Sequence, residues 1–215
     1  MTLSCVVVDY GIGNVFSVMQ ALREFEVDCR LSSSPAAIRA ADHLILPGVG
    51  AFGRAAGRLR EMGLEEPVLE FIATGRPFLG ICVGMQLLHD IGSEFGEHRG
   101  LGMIGGSVDA IDIADEAGGK VRVPLIGWHP LLPPGGDYSR WVDTPLESLP
   151  RNSAFYFVHS FASRPLDPAD VLAVTRHGGQ ELTAAVRSGN VIGTQFHPER
   201  SAQAGRAFLQ SFLRL

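Results

Sequence analysis

Three residues in this chain have the types and spacing of a nucleophile with its base and an orienting acid: Cys82, His197 and Glu199. Cys82 stands in Gly80-Ile81-Cys82-Val83-Gly84, at the end of a short apolar run. Glycines two before and two after such a residue suit a sharp strand-to-helix turn, where the backbone is strained and neighbours pack too closely for side chains. The turn lifts the sulfur above a sheet and sets it among the free amides of a helix start, which favour a negatively charged sulfur. A buried core cysteine is the other reading of this stretch, so the base decides between them. His197 closes the run Val191-Ile192-Gly193-Thr194-Gln195-Phe196, at the same end of a strand as Cys82. Pro198 fixes the local backbone. In extended chain, residues i and i+2 point to one side, so Glu199 can hold the His197 ring and stabilise its imidazolium.

These parts suit acyl transfer. The sulfur attacks an acyl carbon, a thioester forms, and water hydrolyses it. The oxyanion needs two amides, and Val83 N–H, directly after Cys82, supplies one. The second can come from Pro47-Gly48-Val49-Gly50, a loop whose amides can turn outward toward an anion. His159, which closes Phe155-Tyr156-Phe157-Val158, is the rival base, but it has no neighbouring carboxylate and reads as structural or substrate-lining. His43, His89, His98, His129 and His177 read as loop or helix-face residues without paired acids.

The elements that must position these groups alternate at first. Leu3 to Val8 reads as a buried strand. Gly11-Ile12-Gly13-Asn14 turns into a helix from Val15 to Phe25, and this is a poor match to a dinucleotide fingerprint because Phe16 takes the third glycine's place. Strands at Val27–Leu31 and Asp42–Leu46, helices at Ala51–Arg60 and Leu64–Ala73, and the elbow strand with a helix through His89 follow. From Leu101 onward the pattern changes to extended runs at Ile104–Val108, Val121–Ile126, Ala154–Phe161, Val171–Thr175, Thr183–Arg187 and Val191–Gln195. A helix from Ala202 to Leu213 closes the chain. The expected fold is an α/β open, mostly parallel twisted sheet with helices on both faces and an antiparallel C-terminal extension, in a single domain over residues 1–215.

Bulk properties narrow the function classes. A chain of 215 residues with 46% apolar residues can bury a full core. Its net charge of −5 argues against nucleic acid or an anionic membrane as partner. Three cysteines form no close pair along the sequence, so neither a disulfide framework nor a metal site is expected, and no cofactor is called for. Without a signal segment or a membrane-spanning run, a cytoplasmic location is expected.

The Gly80–Gln86 elbow together with Gln195–Glu199 resembles the Cys-His-Glu class of glutamine amidotransferase domains. Further stretches narrow the resemblance: Val8-Asp9-Tyr10-Gly11-Ile12-Gly13-Asn14, Leu46–Gly53, Ile126-Gly127-Trp128 and Tyr156–Ser160 are similar to the family of glutaminase subunits of imidazole glycerol phosphate synthases. The likeness spans nearly the whole chain and implies a class I amidotransferase-like fold. It implies glutamine hydrolysis to glutamate and ammonia at Cys82, with His197 as base and Glu199 as its orienter. The ammonia would pass to a (β/α)-barrel synthase subunit in a heterodimer of histidine biosynthesis. Gly50 and Val83 match oxyanion and substrate-loop positions, in the Gly48-Val49-Gly50 and elbow segments. Gln86 matches a position that holds the glutamine α-amino or carboxylate group, and the backbone at Ser160 and Phe161 matches the far side of that pocket. Asn14, Trp128 and Arg200 match partner-face positions. Three features depart from the family pattern: His129 stands in place of Asn, Arg200 in place of Lys, and His177–Leu182 replaces an aromatic-rich stretch. A glutaminase serving another synthase, or a non-catalytic subunit of the same fold, are the alternative readings.

Overall fold

A computed structural model describes residues 3–114 and 119–215. Its main sheet is built from β1 (Ser4–Val8), β2 (Asp28–Ser32), β3 (His43–Gly48), β4 (Phe78–Cys82) and, much later, β13 (Val191–Thr194), all parallel. The first connections are helical: α1 (Val15–Leu22), α2 (Pro35–Ala40), then α3 (Phe52–Glu61) and α4 (Glu65–Ala73). The proline that opens α2 suits its first turn, and the Ser34 hydroxyl caps it by accepting from Ala37 N–H at 3.4 Å. The spatial order is β11-β12-β13-β4-β3-β1-β2, with β11 (Val171–His177) and β12 (Gln180–Ser188) antiparallel at one edge. β1 leads to β2 on one side, whereas the chain returns through β3 and β4 on the other. Right-handed crossovers therefore place α1 on the opposite face from α2, α3 and α4.

Only part of the late extended region extends this sheet. Ile104–Val108 and Phe161 onward belong instead to a four-stranded sheet, β10-β7-β5-β6, made of Phe161–Pro165 (β10), Ile104–Ala110 (β7), His89–Gly92 (β5) and His98–Arg99 (β6). Leu125–Pro130 (β8) and Ala154–His159 (β9) form a separate two-stranded ribbon. The expected strand at Val121–Ile126 thus begins later and runs further. The elbow helix, expected through His89, is one turn, α5 (Val83–Gln86), because His89 pairs with Ile104 in the second sheet. The five histidines read as loop or helix-face residues all lie in strands. The chain ends in α6 (Ala202–Phe212).

One apolar cluster joins both faces of the main sheet, and β4 runs through its centre with every residue buried. Phe196 lies against Phe155 at 4.3 Å and Phe208 at 5.5 Å between ring centroids. That aromatic stack fixes the chain immediately before His197. Among the described residues no helix is long and apolar enough to cross a membrane.

Candidate active site

The strand order brings the chemistry together. β4 lies between β3 and β13, and Gly48 is the Cα partner of Cys82 while Thr194 pairs with Ile81. β3 runs two residues past the expected Leu46, through Pro47 and Gly48, so Val49–Gly50 and the Gln195–Glu199 segment leave the sheet on either side of Cys82, at the carboxyl ends where open α/β sheets place ligands. Cys82 has φ 55° and ψ −110°, a conformation that non-glycine residues adopt only at a cost. The flanking glycines are needed for close approach. A Cβ on Gly84 would lie 1.9 Å from the Leu46 carbonyl oxygen, and one on Gly80 would lie 2.6 Å from the Gly84 oxygen. A single helical turn carries little macrodipole, so what α5 offers beside Cys82 is its free first-turn amides, Val83 N–H among them.

His197 and Glu199 meet as the spacing implies, by a different local route. His197 Nδ1 and Glu199 Oε1 are 2.8 Å apart, and both side chains are buried. The contact is made in a 3-10 turn, Pro198–Arg200, and not in extended chain. Ser201 pins that turn: its hydroxyl donates to the His197 carbonyl at 2.6 Å and accepts from Tyr156 N–H at 3.0 Å. His197 Nε2 is buried and makes no hydrogen bond. Burial alone pulls the His197 pKa down, but Cys82 and the Glu199 carboxylate more than reverse this and raise it to about 10. His197 therefore holds its proton near neutral pH, with no acceptor bound at Nε2.

Cys82, Val83, His197, Val49, Gly50 and Gln86 line one cavity of about 460 Å³, closed on its far side by Ser160 and Phe161. Gly48 does not line it; it is a buried strand residue pressed against the elbow. A larger groove of about 790 Å³ between α1 and α6 contains no cysteine or histidine. Gln86 gives both amide hydrogens away, to the Phe161 carbonyl at 3.2 Å and to Gln195 Oε1 at 3.0 Å, so only its oxygen is left for a ligand. Gln195 in turn donates to the Cys82 sulfur at 3.7 Å. His159, the rival base, also lines the cavity. Its Nδ1 is 2.8 Å from the Phe161 carbonyl, and burial holds its pKa down at about 4, so it stays neutral.

Two groups, one beside the sulfur and one lining the cavity, are not visible as such in the sequence. Gln195 reads as part of a strand. Glu94 sits in the turn after β5, lines the cavity, and accepts from Phe52 N–H at 3.0 Å through one carboxylate oxygen. The only local signal for Glu94 is an acid next to Gly96 in a turn. Of the partner-face positions, Trp128 and Arg200 share one platform. The Arg200 guanidinium lies 4.4 Å over the Tyr156 ring, and half-exposed Trp128 meets the same ring edge-on at 6.2 Å. Asn14 precedes α1 without capping it through its side chain. Phe16 and Ser17 beyond it line the α1–α6 groove with Pro198 and Glu199. Among the described residues no cluster of three or more His, Cys, Asp or Glu forms a metal-binding set.

A family model for class-I glutamine amidotransferases matches residues 6–214. The chain is 41% identical over 209 residues to the imidazole glycerol phosphate synthase subunit HisH 1 of Legionella pneumophila (strain Lens), covering 97% of this chain and 98% of that protein. It is 44% identical over 208 residues to the imidazole glycerol phosphate synthase subunit HisH of Rhodopirellula baltica, covering 96% and 95%. In fold it is similar to the structure of PurLQS from Thermotoga maritima, with a TM-score of 0.72 at 21% identity over 100% of this chain and 99% of that one. The chain therefore belongs to the class-I glutamine amidotransferases and, within them, to the HisH subunits of imidazole glycerol phosphate synthase.

Proposed function

We propose that this chain acts as a single glutamine amidotransferase domain, the cytoplasmic glutaminase subunit of an imidazole glycerol phosphate synthase. The observation that carries the reading is the convergence of a strained Cys82, the buried His197–Glu199 pair and an amide-bearing loop on one cavity. The Cys82 sulfur attacks the side-chain carbonyl carbon of glutamine. Val83 N–H and an amide of the Pro47–Gly50 loop take the developing oxyanion. His197 gives its Nε2 proton to the leaving nitrogen, ammonia departs, and a thioester remains on Cys82. His197, now neutral, takes a proton from water, which attacks the thioester and releases glutamate. Glu199 holds the ring in the required tautomer throughout. Glu94 offers the carboxylate for the substrate's α-ammonium, and the Gln86 oxygen and the Ser160–Phe161 backbone complete the rim.

The ammonia passes to a (β/α)-barrel synthase subunit that makes imidazole glycerol phosphate and AICAR. The Trp128–Tyr156–Arg200 platform and the segment at Asn14 supply the docking face. The test is glutamine hydrolysis by wild type and Cys82→Ala, alone and with the barrel subunit. Wild type should be weak alone and faster with the liganded partner, and Cys82→Ala inactive in both settings. Turnover by Cys82→Ala removes the nucleophile assignment. Fast hydrolysis indifferent to that partner favours a glutaminase serving another synthase.

A further inference from the structure

Tyr10 is fully buried beyond the end of β1, and its hydroxyl donates to the Pro47 carbonyl at 2.7 Å. Phenylalanine would fill the same apolar space, so the hydroxyl needs its own account. Its acceptor opens the loop whose Val49 and Gly50 line the cavity. A Cβ on Gly48 would lie 2.9 Å from the Tyr10 hydroxyl, 2.9 Å from Val83 Cβ and 2.7 Å from the Gly84 nitrogen. The phenol, the first peptide of the loop and the elbow therefore meet in one contact, beside the Cα pairing of Gly48 with Cys82. Burial first, and negative charge at Cys82 second, push the phenol pKa up, so the group stays a donor.

We infer that Tyr10 is a positioning residue: its hydroxyl fixes the Pro47–Gly48 peptide and thereby the loop amides that face the oxyanion. This rests on the amidotransferase reading above. Without the hydroxyl the Pro47 carbonyl loses its partner, and the Pro47–Gly48 peptide is held only by its pairing with β4, so the chain beyond it is set less firmly. Loop amides then fall out of line with an oxyanion that exists only during reaction, while groups that hold ground-state glutamine stay in place.

The experiment compares Tyr10→Phe, Cys82→Ala and wild type as full chains, with and without the barrel subunit. Tyr10→Phe should lower kcat for glutamine by about tenfold to a hundredfold, less than the roughly 10²–10³ of removing an oxyanion donor outright because the donor is displaced and not lost. KM for glutamine should stay within about twofold. Alkylation of Cys82 by chloroacetamide, which displaces chloride at a saturated carbon and builds no oxyanion, should also stay within about twofold. An unchanged kcat overturns the assignment, as does an alkylation rate that falls in step with kcat. A Tyr10→Phe chain that fails to fold, judged by circular dichroism, makes the hydroxyl a core requirement and overturns it too. If Cys82→Ala still hydrolyses glutamine, the amidotransferase reading fails first. If Cys82→Ala is inactive and Tyr10→Phe is like wild type, only the positioning role fails.

Discussion

The strain at Cys82 makes a quantitative prediction about stability. At φ 55° and ψ −110° the residue lies in a region where a side chain costs about 1–3 kcal/mol and glycine nothing. Compare Cys82→Ala with Cys82→Gly, both lacking the sulfur. Glycine loses a buried methyl, about 0.8 kcal/mol, and brings a more flexible unfolded chain, about 0.5–1 kcal/mol. Relief of about 1–3 kcal/mol of strain is set against a cost of about 1.3–1.8 kcal/mol, so Cys82→Gly should be more stable than Cys82→Ala or fall short of it by less than about 1 kcal/mol. At an ordinary buried site the same exchange is destabilising; Ala55→Gly, within α3, should cost about 1.5–2 kcal/mol. Urea unfolding followed by circular dichroism measures all four chains, and Ala55→Gly should also melt several degrees lower, at about 2–4 °C per kcal/mol for this length. A Cys82→Gly chain less stable than Cys82→Ala by 1 kcal/mol or more, as about that deficit marks an unstrained site, would refute the claim that the elbow stores strain.

Glu199→Gln keeps the size of the residue but removes the charge 2.8 Å from His197 Nδ1. Glutamine hydrolysis should fall by roughly 10²–10⁴, with circular dichroism unchanged. Gly84→Ala puts a methyl 1.9 Å from the Leu46 carbonyl, between two backbones that cannot separate, and should abolish soluble expression while Gly57→Ala, with open space around it, does not. The pH dependence has two arms. Burial holds His89 and His159 at about 4 in the folded chain, below the ordinary histidine value of about 6.5. The unfolded chain binds more protons in that window, so their contribution is present above about pH 6.5 and lost as pH falls toward about 4. It is on the order of 3 kcal/mol per histidine as an upper limit. His197, raised to about 10, works oppositely: its contribution is full below about pH 6.5 and lost as pH rises through about 10. Urea midpoints should peak near neutrality, and a flat profile from about pH 5 to pH 9.5 would contradict both arms.

The elbow was legible because its glycines answer a steric demand, and steric demands are local. The alternating first half was legible for a similar reason, since buried strands and amphipathic helices differ in period. The sequence is less informative where pairing is settled by distant chain. Nothing in Ile104–Ala110 says that it joins a second sheet, and nothing in His89–Gly92 says that pairing with β7 will end the elbow helix after one turn. The i, i+2 spacing points to the His197–Glu199 contact, but the chain makes it in a 3-10 turn that Ser201, not strand geometry, holds. Gln195, Glu94 and Tyr10 carry common side chains in unremarkable contexts. Gln195 reaches the sulfur through β13 beside β4, Tyr10 reaches Pro47 from the end of β1, and Glu94 reaches the cavity from the turn after β5, so tertiary order alone gathers them.

That order also links the exposed platform to the base. Tyr156 presents its ring to Trp128 on one side and to the Arg200 guanidinium on the other. Its backbone faces inward: Tyr156 O accepts from His197 N–H at 2.9 Å, and Tyr156 N–H donates to the Ser201 hydroxyl that pins the turn. Arg200 belongs to that same 3-10 turn as Glu199. A partner that moved Trp128 or Arg200 would therefore bear on the residue whose peptide groups hold the His197 turn, with no intervening flexible segment. His129 follows Trp128 on β8, but it faces Phe157 at 6.0 Å and His177 at 5.8 Å, away from the Tyr156 ring. His129 and His177 thus meet in one edge-on ring contact away from the platform. Arg200 stays with the platform. Its flat guanidinium stacks on the Tyr156 ring in a way a lysine ammonium does not, which holds the charge against the platform.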